Sequence, residues 1–168
     1  MDNILYKGRF INVEKVKHEE KNYEAVILDN AVAVLVLNQD KSKMLLVKQY
    51  RPVYGDYTYE IPAGMLDVEG ESDKLCAVRE LEEEANIKIF SDDLNFLLTY
   101  FPAIGFTSHK LNIYYAIIEE NDDKEIKNDD VVERIWISLD DFQSMIKDGK
   151  IVDGKTLLAY YSFLSKDI

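Results

Sequence analysis

The 168-residue chain has one cysteine, three prolines and seven glycines. A lone thiol, Cys76, excludes an internal disulfide framework and suits a reducing compartment. The glycines and prolines are scattered, so no segment reads as a linker, and the sequence shows no internal repeat or low-complexity tract. Positive charge is scarce: 20 basic residues against 32 acidic ones leave a net charge of −12. Nucleic-acid binding needs a basic face, so nucleic acid is not an expected partner. A small phosphorylated substrate remains compatible, provided a cation bridges acid to phosphate. The longest apolar run, Ala31 to Leu37, is seven residues and cannot span a bilayer, so no membrane partner is expected. The opening MDNILYKGRF holds no apolar core of signal-peptide length, and the expected location is the cytoplasm. The two histidines, His18 and His109, show no H-x-x-H spacing, which argues against zinc.

What is present is a chain of one-domain length, 47% hydrophobic and 31% charged, as in a globular protein. Its first half reads as strands: Phe10 to Lys17, Tyr23 to Leu28, Ala31 to Leu37, Met44 to Tyr50 and a short Thr58 to Ile61. A helix follows over Ser72 to Ala85, with Ser72 as its cap and Asn86 as its left-handed stop. Strands resume at Leu94 to Phe101, Lys110 to Ile118 and Val131 to Ile137. Ser138 and Asp141 make a capping-box pattern for a helix ended by Gly149, and Lys155 to Leu164 is the last helix. This order predicts an α+β fold with a mixed sheet. The N-terminal thirty residues read as a separate β region, 1–30, ahead of a core domain at 31–168. The polar stretch Asn121 to Asp130 reads as an exposed loop.

Acid is concentrated locally. The window Asp67 to Glu84 holds eight acids where composition predicts about three to four. On a helix, Leu75, Val78, Leu81 and Ala85 would form an apolar face, while Glu80, Glu83 and Glu84 share another side. Three carboxylates so close repel one another, and a hard divalent cation such as Mg2+ would relieve the repulsion. A solvated acidic face is the other meaning of a bare E-x-E-E-E string. Cys76 projects beside these acids and reads as a small, partly buried residue rather than a nucleophile.

The stretch from Gly64 through Glu71 and Arg79-Glu80-Leu81-Glu82-Glu83-Glu84-Ala85-Asn86-Ile87 resembles the Nudix hydrolase signature. That pattern is G, five residues, E, seven residues, then R-E-U-x-E-E-x-G-U, with U a bulky aliphatic. Two departures stand out: six residues separate Gly64 from Glu71, and Asn86 replaces the usual glycine. The flanking Gln49-Tyr50-Arg51-Pro52 and Tyr59-Glu60-Ile61-Pro62-Ala63-Gly64 resemble the family's ADP-ribose pyrophosphatase branch. So does Pro102, followed by Ala103-Ile104-Gly105-Phe106-Thr107-Ser108, although His109 stands where the branch usually has glutamate.

The resemblance implies a Nudix-type α/β/α sandwich and a Mg2+-dependent hydrolysis, with Mn2+ as a possible substitute, of ADP-ribose to AMP and ribose 5-phosphate. Glu80 and Glu84 would be metal ligands. Glu83 would be a third ligand or act through water held by the metal, and the Ala63 carbonyl would complete the set. Glu71 and Arg79 would pair to hold the loop in shape. Asp130 would be the general base, with Asp129, Glu133 and Glu83 as alternatives. Arg51, Glu60, Gly105 and Phe106 are the expected substrate contacts; for Arg51 an ordinary surface salt bridge is the competing role. The branch further implies a homodimer paired through the N-terminal strands. Two rivals stay open: hydrolysis of another nucleoside diphosphate sugar such as GDP-mannose, and a non-catalytic nucleotide-sugar sensor on the same fold. A DNA-binding sensor would need a basic helix-turn-helix segment, which these residues lack.

Overall fold

The computed structural model describes residues 3–121 and 126–166. Three antiparallel strands come first: β1 (Ile4–Lys7), β2 (Asn12–His18) and β3 (Lys21–Ile27) form a small sheet of their own. The main sheet holds β4 (Ala31–Asn38), β5 (Lys43–Arg51), β6 (Asp56–Glu60), β7 (Ala63–Met65), β8 (Asn95–Tyr100), β9 (Leu111–Ile118) and β10 (Val131–Ser138). Its spine runs β10-β5-β4-β9-β8, with β6 added to β5 and β7 added to β4. Only β4 and β9 run parallel among these pairings, so the sheet is mixed.

Strand β4 explains the layering. All eight of its residues are buried. A strand without a polar face must be covered on both sides, and successive side chains point to opposite faces. Ala31, Ala33, Leu35 and Leu37 pack with Phe142 of α2 (Leu139–Lys147) and with Tyr160 and Phe163 of α3 (Gly154–Leu164). Val32, Val34 and Val36 pack with Cys76, Ala77, Leu81 and Ala85 of α1 (Asp73–Ala85). The result is an α/β/α sandwich with α1 alone on one face.

Helix boundaries follow local chemistry. The Ser72 hydroxyl accepts from Leu75 N–H at 3.4 Å and starts α1. Asn86 adopts φ +47°, and the Asn86 and Ile87 N–H groups donate to Glu82 and Leu81 carbonyls. Asn86 thus does what the signature's glycine does. Ser138 caps α2 through Asp141 N–H at 3.0 Å, and Gly149 turns left-handed just past its end.

Two expectations need correction. Leu75 does not belong to the buried face of α1, being 55% exposed, and the cysteine expected to be partly buried is fully buried. The face turned inward carries two adjacent rows, Ala77-Leu81-Ala85 and Cys76-Glu80-Glu84. Small residues let the helix lie close to the sheet, and the second row then turns its acids toward β7 instead of water. Strands β1 and β7 were not expected; each is too short, at four and three residues, to show a period.

Candidate active site

The site gathers at the end of the sheet where β7 meets α1. Glu80 lies directly over Gly64: a Cβ built on Gly64 would fall 1.9 Å from the Glu80 carboxyl carbon. Only a glycine leaves that space. One turn on, Glu84 accepts from Ala63 N–H at 3.0 Å. Glu80 and Glu84 are both buried. Burial pushes the Glu84 carboxyl up to about 7. Burial also raises Glu80, against the opposing pull of Arg79. Glu83 points further out and keeps a half-exposed side chain.

Arg79 organises the loop ahead of the helix. Its Nε and Nη2 donate to the two oxygens of Glu71, each at 3.1 Å, a bidentate clasp between helix and loop. Its Nη1 donates to Glu80 Oε1 at 2.6 Å and to Glu83 Oε2 at 3.4 Å. Nη2 also reaches the Met65 carbonyl at 3.4 Å, which ties the clasp to β7. One guanidinium therefore faces Glu71, Glu80 and Glu83. Glu80 is held by Arg79 and Glu84 by Ala63. Among the described residues, no three acidic, histidine or cysteine side chains converge as a ready-made ion cage. The donor set still fits a hard divalent cation: two buried carboxylates one turn apart, whose charge burial opposes and a cation would restore.

Cys76 is walled in beneath Arg79. Its thiol donates to the Met65 carbonyl at 3.4 Å, and burial pushes its pKa up to about 12, which removes it as a nucleophile.

Beside the carboxylates lies a second cluster. Arg51, at the end of β5, donates Nε and Nη2 to the two oxygens of Glu60 at 2.7 and 2.6 Å. Glu60 also accepts from Thr58 and from Lys155. Burial alone would raise Glu60, but the Arg51 hydrogen bonds and the Lys155 charge overcome it and hold the carboxyl at about 2. Arg51 and Glu60, both expected to meet substrate, are thus paired with each other. Arg51 also lines a pocket of about 420 Å³ with Gln49, Tyr50, Tyr57, Asp129 and Asp130. Asp130 thereby shares a cavity with Arg51, whereas Glu133 pairs loosely with Lys48 at 3.9 Å.

Gly105 and Phe106 stand outside this pocket's lining. Their loop is held by the small sheet: Val26 N–H donates to the Phe106 carbonyl at 2.8 Å, and Val26 bridges Thr107. His109 Nδ1 lies 2.6 Å from the Asp29 carbonyl, a structural engagement. In the acidic loop Asn121 to Asp130, residues 122–125 lie outside the described ones.

Sequence reasoning missed two residues. Lys155 reaches Glu60 from 95 positions away. Lys127 anchors the acidic loop to α1, its N–H donating to the Glu83 carbonyl at 3.1 Å and its ammonium pairing with Glu82 at 2.6 Å. No spacing signal marks either one.

With this geometry in place, comparison with known proteins defines the class. Residues 28–160 match the family model for the NUDIX domain. The chain belongs to the Nudix hydrolase family. Among its relatives, it is 29% identical over 164 residues to the "ADP-ribose pyrophosphatase" of Bacillus subtilis (strain 168), covering 92% of this chain and 85% of that one. It is also 29% identical over 162 residues to the "Methanol dehydrogenase activator" of Bacillus methanolicus, with the same 92% and 85% coverage. A solved structure described as "ADP compounds hydrolase" superposes with a TM-score of 0.73 at 23% identity, covering 98% of this chain and 92% of that one; it supports the shared fold. No helix among the described residues is long and apolar enough to cross a membrane.

Proposed function

We propose that this protein is a Mg2+-dependent pyrophosphohydrolase that cleaves ADP-ribose to AMP and ribose 5-phosphate. The observation that carries this reading is the seating of α1 on β7, with Glu80 over Gly64, Glu84 on Ala63 N–H and Arg79 clasping Glu71. The similarity to the Bacillus subtilis ADP-ribose pyrophosphatase supports the choice of substrate. Glu80, Glu84 and the Ala63 carbonyl, with Glu83 as a further ligand, would hold the cation, which Mn2+ could replace. When bound, the cation supplies charge neutralisation of the diphosphate and activation of the attacking water.

The chain's own residues do the rest. Arg79 keeps the loop closed on Glu71, so the carboxylates stay within reach of the substrate. Arg51 presents a fixed positive charge in the pocket and binds the diphosphate. Asp130, in the same pocket, takes the proton of the attacking water. Gly105 and Phe106 contact the nucleotide from the loop that the small sheet supports. That sheet, residues 4–27, belongs to the N-terminal region 1–30 ahead of the hydrolase domain 31–168, and it pairs two chains. Its exposed Ile4, Leu5, Tyr6, Phe10 and Ile11 give the pairing an apolar surface. The compartment is cytoplasmic.

The test is a chromatographic product assay with ADP-ribose and Mg2+ against an EDTA control. Metal-dependent AMP at a kcat/KM of at least ~10⁴ M⁻¹s⁻¹, the low end of ordinary enzymes, is the expected outcome. No AMP from ADP-ribose, but turnover of GDP-mannose in a nucleotide-sugar panel, would overturn the substrate. Silence across the panel would favour a sensor. Asp130→Asn is expected to lower kcat; unchanged turnover, with Glu83→Gln inactive, would move the base to Glu83.

A further inference from the structure

Lys155 sits in the first turn of α3, on the opposite face of the sheet from α1, and outside the signature. Yet its ammonium is largely buried, pairs with Asp153 Oδ1 at 3.1 Å and donates to Glu60 Oε2. The same Glu60 oxygen accepts Arg51 Nη2, and the other accepts Arg51 Nε and Thr58. The chain of ion pairs therefore runs Asp153, Lys155, Glu60, Arg51, and ends at the pocket that Arg51 lines.

We propose that Lys155 is a positioning residue that fixes the Arg51 guanidinium at the pocket by holding its carboxylate partner, Glu60. Two physical needs support it. Arg51 ends its strand with a side chain 42% exposed, and a pair so exposed on one side is loosely held unless its partner is fixed. Glu60 is fixed from three directions, and the fork it accepts from Arg51 is planar and bidentate. Charge is the second need. Arg51, Lys155, Glu60 and Asp153 sum to zero; without Lys155, Arg51 is the one cation of the four left against Glu60 and Asp153, and the fork it turns toward the diphosphate would be drawn between the two carboxylates. The identity of that anion rests on the proposed function, but the geometry does not.

The experiment uses the full chain with Lys155→Met, Lys155→Arg, Arg51→Ala and the Arg51→Ala/Lys155→Met pair. Lys155→Met is expected to raise KM for ADP-ribose about tenfold with kcat within about threefold, and Lys155→Arg to recover most of the loss. Because Lys155 acts through Arg51, the double variant should bind no worse than Arg51→Ala alone. The Arg51 Nε–H signal in a 15N–1H spectrum, assigned by its loss in Arg51→Ala, should shift or broaden in Lys155→Met. Additive losses, a fall in kcat at constant KM, or an unmoved Nε–H signal would each overturn the proposal. Lys155→Gln repeats the measurements if the methionine variant does not fold. If the wild type releases no AMP from ADP-ribose, the function fails separately, and the Nε–H signal alone decides the role of Lys155.

Discussion

Gly64→Ala isolates the contact on which the site turns. The added methyl carbon would lie 1.9 Å from the Glu80 carboxyl carbon and 2.0 and 2.3 Å from its oxygens. Ordinary contact begins near 3.4 Å, so the carboxylate must retreat by about 1.5 Å. A retreat of that size, directed away from Arg79, would stretch its 2.6 Å bond from Arg79 to roughly 4 Å, beyond hydrogen-bonding range, and in any other direction it would spoil the bond's alignment. The obstacle is the far end of a flexible side chain, and Gly64 has no left-handed φ, so the backbone of β7 need not move. The stability cost should therefore stay near the low end of the about 1–3 kcal/mol that overpacking costs, a fall in Tm of about 2–4 °C. Turnover should suffer far more, because a displacement of about 1 Å at a reacting site costs on the order of 10²-fold. Thermal denaturation and the AMP assay, run on one preparation, separate the two effects. A kcat/KM within about threefold of wild type would refute the reasoning, since Glu80 would then need no fixed position. A fall in Tm of more than about 10 °C would refute it differently, by showing that the strand absorbed the clash.

Three further outcomes follow from the same geometry. Arg79→Lys loses the fork that clasps both Glu71 oxygens, so turnover should drop by more than about tenfold, while Glu71→Asp, which keeps the pair, should cost less; equal losses would deny the clasp its role. Glu60 has its pKa lowered from 4.5 to about 2, so its stabilising contribution, on the order of 3 kcal/mol, is present above about 4.5 and lost as pH falls toward 2. Glu60→Gln should flatten that part of the stability-versus-pH curve in urea titrations, and an unchanged slope would contradict the assignment. Mg2+ at about a hundred times its Kd should stabilise the fold by about 2.7 kcal/mol, read as a rise in Tm. The rise should vanish in Glu84→Gln, and its persistence there would place the ion elsewhere.

Apart from the short strands β1 and β7, the elements and the signature helix were legible in the sequence because they rest on short-range chemistry. Ser72 and Asn86 bound α1 through hydrogen bonds to residues a few positions away. Glu80 and Glu84 lie one turn apart whatever surrounds them, and the apolar run in β4 announces a strand covered on both faces. The side of α1 that faces inward was not legible. Hydrophobicity favoured Leu75, but close packing of Ala77 and Ala85 against the sheet put Glu80 and Glu84 inside and left Leu75 in water. Nor could spacing show that Arg51 and Glu60 would bind each other, nine residues apart across the β5–β6 pairing. Lys155 and Lys127 reach their partners only because the sheet folds distant segments together. Local periodicity and capping determine which residues form each element, since those free energies act within a turn or two. Partners from separate elements, the burial that raises Glu84 and the Arg51 and Lys155 contacts that lower Glu60 exist only once the sheet has closed. The sequence by itself therefore determined the longer elements and the spacing of the carboxylates on α1, and the tertiary structure alone decided the short strands β1 and β7 and which charges that site would confront.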